Sequence, residues 1–138
     1  MELLNTAKEK ILNHFKFLNQ LGYEFERSEL KGNTLEVHFK GRVTNKVINF
    51  LITNSERTNR FFITISIIRS PYLGVNDFVD FDVYLRKNKI AFKDALVANK
   101  ITEAEIDQYI QEYSDLFKKS GSRLIVTDEQ FPHYFPEW

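Results

Sequence analysis

The hydrophobic period of this chain changes at Gly22, and that change commits it to a mixed fold. Up to residue 21 the apolar side chains Leu4, Ala7, Ile11, Phe15 and Leu18 recur at spacings of three and four, one face of a helix over about residues 2–21. Gly22 is the stop, because glycine accepts the left-handed backbone that ends a helix. From residue 23 the period is two. Tyr23 and Phe25 alternate with Glu24 and Glu26, a turn follows at Lys31, Gly32 and Asn33, and Leu35, Val37 and Phe39 then alternate with Glu36, His38 and Lys40. "NKVINFLIT" and "RFFITISIIR", joined by "NSERTN", are rich in the branched and aromatic residues that suit a pleated surface. The economical arrangement is a four-stranded antiparallel meander over about 23–69. In its last strand Phe61, Ile63, Ile65 and Ile67 share one face, and Phe62, Thr64, Ser66 and Ile68 share the other, so both faces are expected to be partly covered.

Beyond the meander the signals mix. In residues 77–88, Val79, Phe81, Val83 and Leu85 alternate with Asp80 and Asp82, while Phe78, Phe81 and Leu85 also fit a helical stripe. Either a fifth strand to about Val83 or Leu85 or a short helix capped by Asp80 or Asp82 accounts for it. "AFKDALVANK" has room for a helical turn or two. Thr102 followed by Glu105 has the spacing of a capping box, which predicts a helix over about 103–119 with Ile106, Tyr109, Ile110, Tyr113, Leu116 and Phe117 on its buried side and Gly121 beyond its end. "RLIV" reads as a short strand over about 123–126, ahead of an aromatic tail over 127–138. The expected fold is α+β, a mainly antiparallel four- or five-stranded sheet with an N-terminal and a C-terminal helix packed on it, in one domain over residues 1–138.

Composition narrows the function classes. Cysteine is absent, which excludes disulfides and thiol nucleophiles and suits a reducing, cytoplasmic setting. "MELLNTAKEKILNHF" lacks the apolar core of a signal peptide, and the longest apolar run, "FFITISII", falls well short of the roughly 18 residues that span a bilayer, so no membrane association is expected. Nineteen basic residues balance nineteen acidic ones, so no general field attracts nucleic acid. The charge is unevenly distributed: residues 1–70 carry 11 basic and 7 acidic side chains, residues 71–138 carry 8 and 12. Either the two halves attract each other within the fold, or the second half presents an acidic face to a basic partner.

Motifs for chemistry are missing. His14, His38 and His133 lie on three unrelated segments without the paired spacing of zinc ligands, and His38 alternates outward toward solvent. The five glycines are too dispersed for a phosphate loop, and no serine sits in a nucleophile elbow. On a strand, Asp80 and Asp82 would share a face about 7 Å apart, a spacing open to two catalytic carboxylates, but spacing is all that recommends that role, and a solvated edge or a helix cap explains the same residues ahead of a partner contact. No catalytic, cofactor or metal residue is assigned. The candidate partner-binding residues are Asp77, Asp80 and Asp82 in the acidic segment and Asp128, Glu129, His133, Tyr134 and Trp138 in the tail. Pro132 and Pro136 hold Phe131 and Phe135 extended, which makes the tail either a stiff strap over the domain's own core or a contact surface.

A lone helix, an antiparallel meander, the segment "DFVDFDVYL", the capped helix "TEAEIDQYIQEYSDLFKKSG" and the ending "RLIVTDEQFPHYFPEW" together resemble the small bacterial immunity-type proteins of polymorphic toxin systems. The likeness is one of arrangement across most of the chain and carries no site residues. It implies a non-enzymatic inhibitor that binds and occludes a cognate toxin domain, a protein partner with no reaction of its own. The rival expectation is a small-molecule-binding or enzymatic α+β domain with a pocket between sheet and helix, which the thirteen phenylalanines could line.

Overall fold

The computed structural model describes residues 2–129 together with Phe131. Helix α1 runs Glu2–His14 and gives way after Phe15 to a 3₁₀ turn, Lys16–Asn19. Strands β1 (Tyr23–Lys31), β2 (Thr34–Gly41), β3 (Lys46–Ser55) and β4 (Arg60–Arg69) follow as an antiparallel meander. The β1–β2 turn has two residues, and the positive φ of Gly32, 61°, at its first position is the backbone that matches the twist of a hairpin. Strand β5 (Phe78–Asp80), helix α2 (Phe81–Lys87), strand β6 (Leu96–Val97) and helix α3 (Glu103–Leu116) complete the regular elements, and a π turn, Phe117–Gly121, extends α3. The chain is therefore α+β with an antiparallel sheet, as the change of period requires.

Strand β3 pairs with one edge of β4 along its whole length, so β5 and β6 both pair with the opposite edge. They sit at its two ends, at Ser66–Ile68 and at Arg60–Phe61, and residues 62–65 between them have no strand partner on that side. A side chain from α3 serves there instead. The Tyr109 hydroxyl accepts from the Ile63 amide at 3.2 Å and donates to the Asp94 carbonyl at 3.1 Å, which satisfies backbone groups that a continuous fifth strand would have paired.

The core has one side. Leu35, Val37, Phe39, Ile48, Phe50, Ile52, Phe61, Ile63, Ile65 and Ile67 from one face of the sheet are buried in one cluster with the apolar stripes of α1 and α3. Every residue predicted for the α1 stripe is buried, and so are Ile106, Tyr109, Ile110, Tyr113 and Phe117 of the α3 stripe, with Leu116 partly buried beside them. The opposite sheet face, including Val47, Leu51, Phe62 and Ile68, is half-buried. Phenylalanines fill the core, with Phe15 and Phe50 in an edge-on pair at 4.7 Å and Phe39 and Phe50 at 5.6 Å.

Local expectations fared unevenly. The Thr102 capping box forms in both directions, with the Glu105 amide donating to Thr102 Oγ1 at 3.2 Å and the Thr102 amide to Glu105 Oε1 at 3.1 Å. The first helix is α-helical only to His14, where the hydroxyl of Ser114 on α3 donates to the His14 carbonyl at 2.9 Å and so satisfies one group left over at the helix end. Residues 77–88 resolve into both readings in succession, a three-residue strand and then a helix whose N-cap is Asp80. "AFKDALVANK" forms β6 and a 3₁₀ turn, Ala98–Lys100, in place of an α-helical turn. The strand expected over 123–126 is absent: the π turn leads into a 3₁₀ turn, Ser122–Leu124. Three apolar residues behind an arginine are too few for periodicity to decide, and here tertiary bonds do. The Leu124 carbonyl accepts from Lys46 Nζ at 2.8 Å and the Ile125 carbonyl from the Tyr23 hydroxyl at 2.7 Å, in positions where a strand would offer them to a ladder.

Candidate functional site

The acidic segment is largely spent inside the fold. Asp77 is 1% exposed, where Arg69 Nη1 reaches its carboxylate at 3.0 Å and the Leu73 amide donates to it at 2.9 Å. A buried carboxylate held by a guanidinium and an amide is a structural tie. Asp80 accepts from the amides of Asp82 and Val83 at 2.9 and 3.2 Å as the cap of α2. Because the chain turns helical at Phe81, Asp80 and Asp82 do not share the face that a continuous strand would have given them, and of the alternatives open for the pair Asp80 takes the helix cap. Asp82 accepts from the Tyr113 hydroxyl at 2.9 Å. Burial pushes its carboxyl up to about 6, opposed by the Tyr113 hydrogen bond and aided by the neighbouring Asp80. Burial likewise pushes the Tyr109 hydroxyl up to about 12 and that of Tyr113 upward.

The charge asymmetry also has internal uses. Lys10 meets Glu103 at 3.3 Å and Asp107 at 3.6 Å, His14 meets Asp107 at 2.8 Å, Arg60 meets Asp94 at 3.7 Å, and Arg69 holds Asp77. In each pair the basic group belongs to residues 1–70 and the acid to residues 71–138. The His14 hydrogen bond holds the Asp107 carboxyl below the usual carboxylate range. His38, expected to face solvent, is half-buried and bonds Glu36 at 3.1 Å. Among the described residues no group of three or more His, Cys, Asp or Glu converges on a metal position, and no helix is long and apolar enough to cross a membrane.

At one end of the sheet three connections are tied together. The Ser70 amide donates to the Asn45 carbonyl at 2.7 Å, the Asn45 amide donates to the Asp128 carboxylate, and Arg69 Nε donates to the Asp128 carbonyl at 2.6 Å. Tyr23 adds contacts to Thr44 Oγ1 at 2.8 Å and to Ile125, and burial pushes its hydroxyl up to about 12. Lys46 is 2% exposed, with its ammonium on the Leu124 carbonyl and 4.4 Å from the centre of the Phe131 ring; burial pulls its pKa down. Phe131 is buried and its amide donates to the Asn76 carbonyl at 2.7 Å, which ties this residue to the fold; residues 132–138, on which the strap and contact-surface readings of the tail depend, lie outside the described residues.

This stitched end is also apolar on the outside. Val43 is 84% exposed, Leu73 78%, Tyr72 60% and Val126 51%, and each lies on one of the three tied connections. Asp128 and Glu129 are exposed beside Val126. Of the eight predicted contact residues, these two belong to the surface. Asp77, Asp80 and Asp82 are held by internal partners, and His133, Tyr134 and Trp138 lie outside the described residues. Sequence reasoning missed Val43, Tyr72, Leu73 and Val126. The signal for Tyr72 and Leu73 was the large apolar pair in a Pro–Gly-bounded loop, "SPYLG", which a solvated turn does not need.

Between sheet and helices, where the rival expectation placed a pocket, Phe15 packs against Phe50 and Phe117, and Phe50 against Phe39. A recess of about 310 Å³ lies along α3, against residues 91–93. Comparison with protein-family models, curated proteins and solved structures found no match to this chain.

Proposed function

We propose that this chain is a non-enzymatic protein-interaction module, an immunity-like inhibitor that binds a cognate bacterial toxin domain in the cytoplasm and occludes it. One observation carries the reading: four large apolar side chains are exposed together on loops that are hydrogen-bonded to one another. A partner gives a reason to keep Val43, Tyr72, Leu73 and Val126 outward on tied loops, because exposed apolar surface beyond scattered single residues marks contact sites. Fixing the loops in advance reduces the ordering entropy that association would otherwise cost. Asp128 and Glu129 at the margin suit a partner with basic residues around an apolar centre.

The test is co-expression with a toxin domain encoded beside the gene, scored by growth, together with mixing of the purified proteins. A stoichiometric complex and rescued growth are expected, and Leu73→Asp is expected to abolish both while leaving the melting temperature unchanged. Growth that is not rescued by a chain shown to be folded sinks the immunity reading. A complex that survives Leu73→Asp and Tyr72→Ala together places the interface elsewhere.

A further inference from the structure

The recess beside α3 is built from rings. Phe92 and Tyr113 stand 6.2 Å apart with planes tilted by 58°, and Tyr109 and Tyr113 meet edge-on at 5.3 Å; Ala91 and Leu116 complete the apolar wall. Both tyrosine hydroxyls are engaged within the protein, Tyr109 with Ile63 and Asp94 and Tyr113 with Asp82. Their polar ends therefore serve the fold, and both residues, each 2% exposed, line the recess. The charged groups of the lining balance, with Lys93 and Lys119 against Glu112 and Asp115.

The wall is also held in place. The Ile90 amide donates to the Leu85 carbonyl at 2.9 Å, Asp94 receives the Tyr109 hydroxyl, and the Arg86 guanidinium lies 5.1 Å from the centre of the Phe92 ring. Two larger depressions, of about 420 and 600 Å³, are lined mainly by polar and charged side chains and lack such a ring wall.

We propose that the recess between α3 and residues 91–93 is a binding site for a small, neutral aromatic molecule. Its volume lies at the lower end for small-molecule sites and has room for a compact fused-ring ligand. Rings that already meet edge-on extend favourably to a third ring, which favours aromatic over aliphatic occupants. Balanced lining charges give no advantage to an anion or a cation, so a neutral ligand loses the least hydration on entry. The site is separate from the apolar sheet end, and its failure would leave the protein-interaction reading untouched.

Indole is the probe, with benzoate and benzylamine as its anionic and cationic counterparts, each titrated into the full chain while amide chemical shifts are followed. Saturable shifts with indole, centred on residues 91–93 and 109–116, are expected, with both charged analogues at least about fivefold weaker. Ala91→Trp, at an exposed position, should fill the recess and weaken indole about tenfold; Phe92→Ala, which removes a wall, should weaken it comparably and serves if the tryptophan disturbs the fold. No saturable indole binding, shifts centred elsewhere, undiminished binding in the folded variants, or a charged analogue that binds as well as indole would each overturn the proposal. So would a recess that accepts only a side chain of a protein partner.

Discussion

The chain up to Arg69 and the chain after it are held by different forces. In the first part, long strands pair residue by residue, and α1 lays an unbroken apolar stripe on them. In the second part the strands have three and two residues, and side chains reaching backbone groups do much of the holding: Tyr109 on Ile63, Tyr84 on the Ser120 carbonyl at 2.8 Å, Lys46 on Leu124, Tyr23 on Ile125. A ladder spreads its stability over many equivalent bonds, whereas a single tyrosine concentrates it at one place. Damage to the first part should therefore unfold the molecule, and damage to the second should open it locally.

The largest effect tests that contrast directly. Phe50→Ala, in the centre of the sheet against Phe15 and Phe39, is expected to cost about 3–5 kcal/mol in urea unfolding, with all protected amides lost together. Continued protection of α3 in that variant would break the comparison. Asp77→Ala removes the carboxylate partner of Arg69, which keeps the Asp128 carbonyl, and strands the Leu73 amide; it should cost about 2–4 kcal/mol, with faster hydrogen exchange concentrated in residues 43–45 and 70–77. Exchange that accelerates evenly over the whole sheet would show that the tie is not local. Tyr109→Phe removes one hydroxyl and should cost about 1–3 kcal/mol, with the Ile63 amide exchanging first.

The smallest effect concerns pH. The Asp82 carboxyl keeps its proton to about 6 in the folded chain, against an ordinary 3.8, so folding favours the protonated form. Its contribution is complete in acid below the unfolded value and is lost as pH rises through about 6. Asp82→Asn, which still accepts from Tyr113, should leave stability at about pH 3 unchanged and raise it by about 1 kcal/mol at about pH 8, a value reduced for partial solvent screening. Equal stabilisation at both pH values would place the strain in packing and not in the charge.

The same division explains what could be read in advance. The α1 stripe, the meander and the α3 capping box were legible because each is repeated or reciprocal over many residues, and a misplaced residue would face the wrong side. Residues 77–88 read as strand and helix together because Asp80 is the last residue of one and the cap of the other. "RLIV" read as a strand because its three branched aliphatic residues carry no record of the carbonyls of Leu124 and Ile125 being taken by Lys46 and Tyr23. For the surface, the acidic residues looked alike in sequence. Asp128 and Glu129 remain outward, while Arg69, eight residues earlier at the end of β4, turned Asp77 into a buried tie.

By itself, the sequence determined the fold class, the two helices with their buried faces, the strand order expected of a meander, and the absence of cysteine chemistry. These depend on periodicity and composition, which act between neighbours along the chain. Tertiary structure alone decided that the outer edge of β4 is interrupted and completed by a tyrosine, that Asp82 holds its proton to about 6, and that Val43, Tyr72, Leu73 and Val126 gather on one tied end. Those outcomes depend on groups dozens of residues apart arriving within hydrogen-bond reach, and local spacing along a chain does not encode which distant group will be there.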